Sequence, residues 1–301
     1  KKDVEVFRPG DAQTAQPSIP DADTALAVLG TVAAAEVTGS AVTTTALGGA
    51  TVTAGSASAT ADATGAYRLA VEAGKYAITV SKDGYWPASF NRRISSKQTN
   101  VGQTVLMPRS DIKLMSGMKE DDATAVADTV ATADGDTVTF KGTGETYAWL
   151  SEKSVFPGSA AQMLEVEFGV EAGQEGGAFG FLTASAQGTS SGRYGVLEYD
   201  AGNWVVKTGR NKDDVETVDA GLTETIKTEL AAGTLRLVLA RYDGRYYLLY
   251  RAANGAYSVL GDHTYGNDGG IMLYASAAAK VTARIVSYNV NADTVRMAVG
   301  I

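Results

Sequence analysis

A chain of 301 residues is long for one small domain and fits two, because hydrophobic cores divide into units of about 100 to 200 residues. Its 45% hydrophobic residues, with 34 glycines and 6 prolines, are typical of a globular protein and exclude a disordered chain. The formal net charge of −8 disfavours a nucleic-acid partner, whose phosphates this protein would repel. Because the chain has no cysteine, disulfides, thiolate metal sites and cysteine nucleophiles are excluded.

The first segment in chain order, residues 1–23, predicts an extended arm. It begins with a lysine pair and continues into the proline-bearing stretch RPGDAQTAQPSIPDAD. This composition resembles the tether that follows the acylated cysteine of bacterial surface lipoproteins, and the resemblance implies a lipid anchor as the one membrane attachment. An ordinary N-terminal arm explains the same residues, so both interpretations stay open. No apolar run approaches the roughly 20 residues that a membrane span needs.

Strand-like segments then follow at intervals of about 8 to 12 residues and predict a β-sandwich over residues 24–110. The stretch 60–85 alternates strictly between apolar and polar positions. Its apolar members are Tyr67, Leu69, Val71, Tyr76, Ile78 and Val80. We expect these side chains to share the core-facing side of a hairpin, with Gly74 supplying the positive φ of a tight return.

The same region resembles the carboxypeptidase regulatory-like domain. The resemblance rests on the segments LGTV, GGATVTAG, DATGAYRLAV and VGQTVLMP, and above all on the Gly-x-Tyr-x-Ile-x-Val-x-x-x-Gly-Tyr run of residues 74–85. It implies a seven-stranded transthyretin-like sandwich that acts as a non-catalytic spacer, as is common at the front of secreted and outer-membrane proteins. Ala61 stands where that family usually has threonine before the turn from Asp62 to Gly65, a departure that touches local turn hydrogen bonding alone.

Residues 111–136 are charged and alanine-rich without a lasting period, and they predict a linker with room for one short helix. From Thr137 onwards ten strand-like segments predict a second sandwich of the jelly-roll type over residues 137–301. The expected organisation is therefore an arm, a first sandwich, a linker and a second sandwich, all of the β class.

Within the second sandwich, the stretch LRLVLARYDGRYYLLYR predicts a hairpin with a defined register. Asp243-Gly244 favours a two-residue type I′ turn, which pairs Arg241 with Tyr246. Both faces of this hairpin are mostly apolar, so we expect two interior strands. Together with GRYGVLEYDAGNW before it and GGIMLYASAAAKVTARIVSYNV after it, the hairpin resembles the concanavalin A-like or laminin-G-like sandwich over roughly residues 130–291.

Residues suited to catalysis are scarce. His263 is the only histidine, and the GTSSG pentapeptide of residues 188–192 precedes a strand-like segment where a nucleophile elbow needs a helix. Glu165 and Glu167 lie two residues apart on one predicted strand, within the span of a two-carboxylate glycosidase. Alternation alone places outward glutamates there, so we predict that the protein is not an enzyme and keep a glycoside hydrolase as the second alternative.

Aromatic side chains are the candidates for recognition, because tyrosine and tryptophan rings stack on the C–H faces of sugars. Tyrosine is also a good strand residue, so only some of the rings are expected to face a ligand. The candidate ligand-binding residues are Trp149, Tyr194, Tyr199, Trp204, Tyr246 and Tyr265.

Calcium is the one cofactor for which the sequence offers candidate ligands. The laminin-G-like resemblance implies calcium binding through loop aspartates, and Asp200, Asp262 and Asp268 lie in predicted loops. Turn aspartates that bond their own backbone explain the same residues.

The sequence thus predicts an extracellular or cell-surface, all-β protein whose first sandwich is a spacer and whose second is a non-catalytic recognition module for a glycan or a surface protein. The alternative is a structural subunit of an extracellular filament or surface layer that assembles through terminal strands. Its basis is the alternation in DVEVF and in DTVRMAVGI at the two ends. We expect a strand over residues 293–301, either closing a sheet of its own chain or donated to another copy.

Overall fold

A computed structural model describes residues 26–38, 41–117, 123–150, 161–185, 193–209, 215–218, 222–264 and 269–301. Within these ranges the chain forms 22 strands in four sheets, with two short helices. This confirms the all-β fold predicted from the sequence. No helix in the described ranges has the length and apolar character needed to cross a membrane.

The first sandwich consists of two four-stranded sheets, one strand more than the seven expected. Its strands are β1 (Leu26–Thr38), β2 (Ala41–Ala46), β3 (Thr51–Ala54), β4 (Ala57–Thr60), β5 (Ala66–Val71), β6 (Gly74–Ser81), β7 (Ala88–Ile94) and β8 (Gln98–Leu106). Sheet I has the order β2-β1-β5, with β8 parallel to β1, and sheet II has the order β4-β3-β6-β7.

The alternating stretch 60–85 is buried as expected, but it does not form a hairpin. All six of its apolar side chains lie in the core between sheets I and II. However, β5 pairs with β1 in sheet I, whereas β6 pairs with β3 and β7 in sheet II. The chain crosses from one sheet to the other between them, and Gly74 begins β6 without a positive φ. Alternation fixes which side chains face the core, and it leaves the neighbouring strand undetermined.

The second sandwich consists of two seven-stranded sheets. Its strands are β9 (Lys113–Met115), β10 (Ala131–Asp134), β11 (Thr137–Lys141), β12 (Thr146–Trp149), β13 (Gln162–Val170), β14 (Ala178–Ser185), β15 (Arg193–Asp200), β16 (Asn203–Gly209), β17 (Val215–Val218), β18 (Leu235–Tyr242), β19 (Arg245–Arg251), β20 (Tyr257–Thr264), β21 (Gly269–Ala275) and β22 (Lys280–Asn289). Sheet III has the order β10-β11-β22-β13-β18-β19-β20, and sheet IV has the order β17-β16-β15-β14-β21-β12-β9. Residues 111–136, expected as a linker, supply the edge strands β9 and β10.

The predicted register of the β18–β19 hairpin is confirmed. Arg241 pairs with Tyr246, and Asp243 and Gly244 have the positive φ values, 49° and 70°, that a type I′ turn requires. Both strands lie in the interior of sheet III. One of their faces points into the core between sheets III and IV, and the other packs under the C-terminal helix.

The C-terminal residues form a helix, α2 (Ala292–Val299), and the expectation of a strand over 293–301 is wrong. The Asn291 side chain accepts a hydrogen bond from the Thr294 amide at 3.0 Å and caps the helix. Val295, Ala298 and Val299 follow the helical spacing and are buried on the outer face of sheet III. The spacing of the apolar residues fits both a strand and a helix, and the Asn291 cap favours the helix. The filament alternative therefore loses its C-terminal strand, and DVEVF lies outside the described residues.

The first sandwich also packs on the outer face of sheet III. The Ser89 amide donates to Ser287 Oγ at 2.9 Å, and the Tyr288 amide donates to the carbonyl oxygen of Pro87 at 2.8 Å. A short helix, α1 (Glu224–Ala232), packs against β13 and β18 through its buried residues. The first sandwich, α1 and sheet III together position the groove that forms the candidate binding site.

Candidate binding site

Three of the six aromatic candidates are buried side chains, and we correct the expectation that they face a ligand. Trp149, Tyr194 and Tyr246 are 7%, 1% and 0% exposed. The Tyr246 hydroxyl donates to the carbonyl oxygen of Tyr194 at 2.6 Å, and the His263 ring stacks on Tyr246 with centroids 6.1 Å apart. The Trp149 indole donates to the carbonyl oxygen of Gly117 at 3.1 Å. A ring enclosed in this way offers no face to a sugar.

Two further candidates, Tyr199 and Trp204, lie together and are half-buried. They are directly opposed on β15 and β16, with ring centroids 5.3 Å apart and planes at 66°. The Trp204 ring also meets Phe179 edge to face, at 5.4 Å between centroids. Their role in ligand binding stays a prediction, and the sixth candidate, Tyr265, lies outside the described residues.

Two of the three aspartates proposed for calcium lie within the described residues, and each of them is close to a basic side chain. Asp200 lies 3.6 Å from Lys207 Nζ, and Asp262 accepts from Arg245 Nε at 2.9 Å. Asp268 lies outside the described residues. Across the described ranges no group of three or more acidic or histidine side chains is placed to hold a metal ion. Calcium binding stays a prediction.

A cluster of tyrosines lies on the outer face of sheet IV, and the sequence patterns did not reveal it. The Tyr147 and Tyr274 hydroxyls both donate to the Glu145 carboxylate, each at 3.1 Å. Tyr194 packs edge to face on Tyr274, with centroids 5.1 Å apart. Burial first, and then the charge of Glu145, raise the pKa of Tyr274. These hydroxyls are therefore protonated donors that hold Glu145, and their burial indicates a structural role.

A groove lies where the first sandwich meets the outer face of sheet III. Its volume is 390 Å³, within the range of about 300 to 1,000 Å³ that is usual for small-molecule sites. The first sandwich contributes Ala77 and Asn91 to its lining. Sheet III and α1 contribute Glu167, Arg236, Arg251 and Glu229, and the remaining lining comes from Thr234 and residues 252–255.

Three charged side chains of the groove form a connected network with Glu165 and Arg284 beside it. Glu165 is 1% exposed and accepts from Arg251 Nη1 at 2.5 Å and from Arg236 Nη1 at 3.4 Å. Its neighbour Glu167 accepts from Arg284 Nη2 at 2.9 Å and from Arg236 Nε at 3.5 Å. Buried carboxylates require such partners, because an unpaired charge away from water is costly. Three guanidiniums against two carboxylates leave the network with one net positive charge.

Arg251 connects this network to the first sandwich. Its Nη2 donates to the Asn91 side-chain oxygen at 3.3 Å, and the Asn91 amide nitrogen donates to the carbonyl oxygen of Gly255 at 3.0 Å. The guanidinium also lies over the Tyr257 ring, 5.4 Å from its centroid. Burial raises the pKa of Tyr257 to about 12, so its hydroxyl is protonated at neutral pH. The groove therefore presents donors and acceptors whose positions are fixed by several contacts each.

The sequence analysis found Glu165 and Glu167 but misjudged the burial of Glu165. Both were expected on the exposed side of a half-buried strand, and that side is covered at Glu165 by arginines and by the first sandwich. The arginines were missed because they lie on three other strands. Arg236 is directly opposite Glu167 on β18, and Arg284 is opposite Glu167 on β22, so a correct strand order would have paired them.

No family model matches this chain, and no curated protein matches it. Solved structures that resemble it include the Bacteroides ovatus Xyloglucan PUL GH43B, at 12% identity and a TM-score of 0.39, over 75% of this chain and 47% of that one. Another is the CBM2 module of Lactobacillus casei BL23 phage J-1 evolved Dit, at 11% identity and a TM-score of 0.39, over 60% of this chain and 89% of that one. A third is the carbohydrate-binding module CBM66 from Bacillus subtilis, at 12% identity and a TM-score of 0.36, over 53% of this chain and 90% of that one.

This chain spans about half the length of the GH43B chain. With TM-scores below 0.5, these similarities carry no argument about function or family. The sandwich fold rests on the sheets themselves, and the carboxypeptidase regulatory-like and laminin-G-like resemblances stay resemblances of sequence.

Proposed function

We propose that this protein is a non-catalytic, extracellular or cell-surface recognition protein that binds a short glycan segment in the groove between the first sandwich and sheet III. The observation that carries the proposal is the lining of the groove. Guanidinium donors of Arg236 and Arg251, the amide of Asn91 and the carboxylate of Glu167 surround a volume of 390 Å³. Sugar hydroxyls both donate and accept hydrogen bonds, so a lining that offers fixed groups of both kinds suits them.

The engagement of the two carboxylates supports recognition rather than hydrolysis. A retaining or inverting glycosidase needs one protonated carboxyl group as acid and a second, free carboxylate as nucleophile or base. Glu165 and Glu167 each accept from two arginines, and Glu165 is 1% exposed and does not line the groove, so the pair does not offer a substrate the two accessible carboxyl groups that hydrolysis requires. The glycoside hydrolase alternative is tested together with binding, by measuring the release of reducing sugar from the glycans that bind.

The test of the proposal is a glycan array followed by calorimetry on the full chain. Arg236→Ala removes a groove donor and should weaken binding of the selected glycan by about tenfold, the loss expected for a hydrogen bond from a charged group. The matched control is Arg245→Ala, since Arg245 lies in the same sheet with a similarly exposed side chain, 43% against 38%, and does not line the groove. The proposal fails if no glycan binds or if both variants bind like the unaltered protein.

A further inference from the structure

Strand β2 forms a free edge of sheet I. Among the described residues it pairs with β1 alone, in an antiparallel register that places Thr44 opposite Ala35. Four consecutive residues of this strand, Thr43, Thr44, Thr45 and Ala46, are exposed. An exposed strand edge can pair with a strand of another molecule, and proteins protect most of their edges for this reason.

The pairing with β1 determines which backbone groups of β2 are already bonded. The Leu47 amide donates to the carbonyl oxygen of Val32 at 2.9 Å. In an antiparallel pair every second residue of a strand bonds to the neighbouring strand. Counting in steps of two from Leu47, the backbone groups of Thr45 and Thr43 also point towards β1.

The residues between them present their backbone groups on the outer side of the strand. The amides and carbonyl oxygens of Val42, Thr44 and Ala46 point away from β1, and no described residue bonds to them. In the single chain these groups are left to water. A second strand in register would replace the water contacts with a ladder of backbone hydrogen bonds.

The other edges of the four sheets are protected, whereas β2 is not. Charges and bulges are two of the devices that protect an edge, and β8 has a bulge opposite Gly30. The remaining edge strands except β4 carry charged residues, namely Arg68 on β5, Arg93 on β7, Lys113 on β9, Asp134 on β10, Glu216 on β17 and Asp262 on β20. Strand β4 is uncharged, but it has only 4 residues and lies beside β5. Strand β2 has 6 residues without charge, proline or bulge.

The sequence of β2 is complementary to itself. Two copies that pair in antiparallel orientation about Thr44 place this residue opposite its own copy. Thr43 then lies opposite Thr45, and Val42 lies opposite Ala46. The outward backbone groups of one copy meet those of the other in this register. Cross-strand threonine pairs are favourable, and the strand carries no charge that would repel its own copy.

We infer that β2 is a docking edge for a second copy of this chain, and that the two copies form a symmetric dimer with β2 paired to β2 across the two-fold axis. Sheet I then continues from one protomer into its partner. Such an interface closes on itself and does not extend into a filament. The paired edges are short, so the dimer is weak. Strand β2 contributes no residue to the groove, and the inference therefore does not depend on the proposed function.

Sedimentation equilibrium of the full chain tests this inference at protein concentrations from about 1 µM to about 1 mM, the range in which weak dimers form. The measured mass should rise to that of two chains at the upper end. Thr44→Glu and Thr44→Lys each place two like charges at the two-fold axis, so each variant alone should stay a monomer. An equimolar mixture of the two variants pairs opposite charges there and should recover the dimer. Recovery also excludes misfolding as the reason why each variant alone is a monomer.

The matched control is Thr60→Glu, since Thr60 is an exposed threonine on β4, the other uncharged edge. This variant should dimerise like the unaltered protein. The inference is overturned if the unaltered protein stays a monomer at every concentration, or if Thr44→Glu dimerises as the unaltered protein does. It is equally overturned if the mixture of the Thr44 variants stays monomeric, or if Thr60→Glu abolishes the dimer.

Discussion

Replacing Glu165 by glutamine should destabilise the protein strongly, because it leaves a buried guanidinium without its counter-charge. Glu165 and Arg251 have side chains that are 1% and 5% exposed, and they meet at 2.5 Å. Burial acts to lower the pKa of Arg251, but Tyr257 and Glu165 outweigh it and raise that pKa, so the arginine stays charged. Removing one partner of such a buried pair costs about 3 to 5 kcal/mol.

Glu167→Gln is the matched control for this change. The two glutamates lie two residues apart on β13, and each has two arginine partners. The two arginines that contact Glu167 are 38% and 43% exposed, so water solvates their guanidinium groups once the carboxylate charge is removed. The expected cost is therefore below about 1 kcal/mol. Urea denaturation of both variants, followed by intrinsic fluorescence, measures the difference. Equal destabilisation by the two variants, within about half a kcal/mol, would refute the reasoning.

A double-mutant cycle separates the pair from its surroundings. In Arg251→Met alone, Glu165 keeps a single, partly exposed partner in Arg236, and the protein should again be destabilised. Combining Glu165→Gln with Arg251→Met should cost less than the sum of the two single changes, since neither buried charge is then left alone. Strict additivity would show that the two side chains do not interact as the structure indicates.

Three further predictions concern stability. Ile78→Ala, in the core of the first sandwich, should cost about 2 to 5 kcal/mol in the full chain, and a cost below half a kcal/mol in urea melts would contradict its burial. Asn291→Ala should cost about 0.5 to 2 kcal/mol by removing the cap of α2, whereas Asn291→Asp should retain the cap, as differential scanning calorimetry can show. Burial raises the pKa of Tyr257 to about 12, so its stabilising effect is complete below the unfolded value near 10 and is lost as pH rises towards 12. The difference in alkaline absorbance between the unaltered protein and Tyr257→Phe isolates this group, and ionisation of Tyr257 near pH 10 in the folded protein would contradict this.

The register of the β18–β19 hairpin was predicted correctly because its turn residues determine it. The dipeptide Asp243-Gly244 admits the two positive φ values of a type I′ turn, and this turn alone sets the register of β18 against β19. The same kind of reasoning failed for the stretch around Gly74, where two residues cross between sheets. A short connection predicts a hairpin only if both strands belong to one sheet, and this depends on pairings with β1, β3 and β7 that lie far away in sequence.

The C-terminal helix is the second place where the structure differs from the sequence prediction, and the spacing and capping of its residues explain the difference. In DTVRMAVGI the apolar residues satisfy a strand period of two and also the i, i+3, i+4 spacing of a helix. Asn291 as a cap and Gly300 with φ +80° as a terminator favour the helix, and both signals were readable from the sequence. Three of the six aromatic candidates, Trp149, Tyr194 and Tyr246, are buried for another reason. A tyrosine such as Tyr246 on an interior strand serves the core as readily as a surface, and only the sheet order tells which face it occupies.

The groove could not be predicted because its charges are brought together by two sandwiches that are distant in sequence. Glu165 sits on the side of β13 that faces away from the core of the second sandwich, where a glutamate would ordinarily meet water. The first sandwich covers that side, and Asn91 contacts Arg251 from it. A carboxylate in such a place is stable only if arginines accompany it, so the arginines on β18, β19 and β22 follow from the docking of the first sandwich. That docking also makes the first sandwich one wall of the groove, a role that a simple spacer does not require.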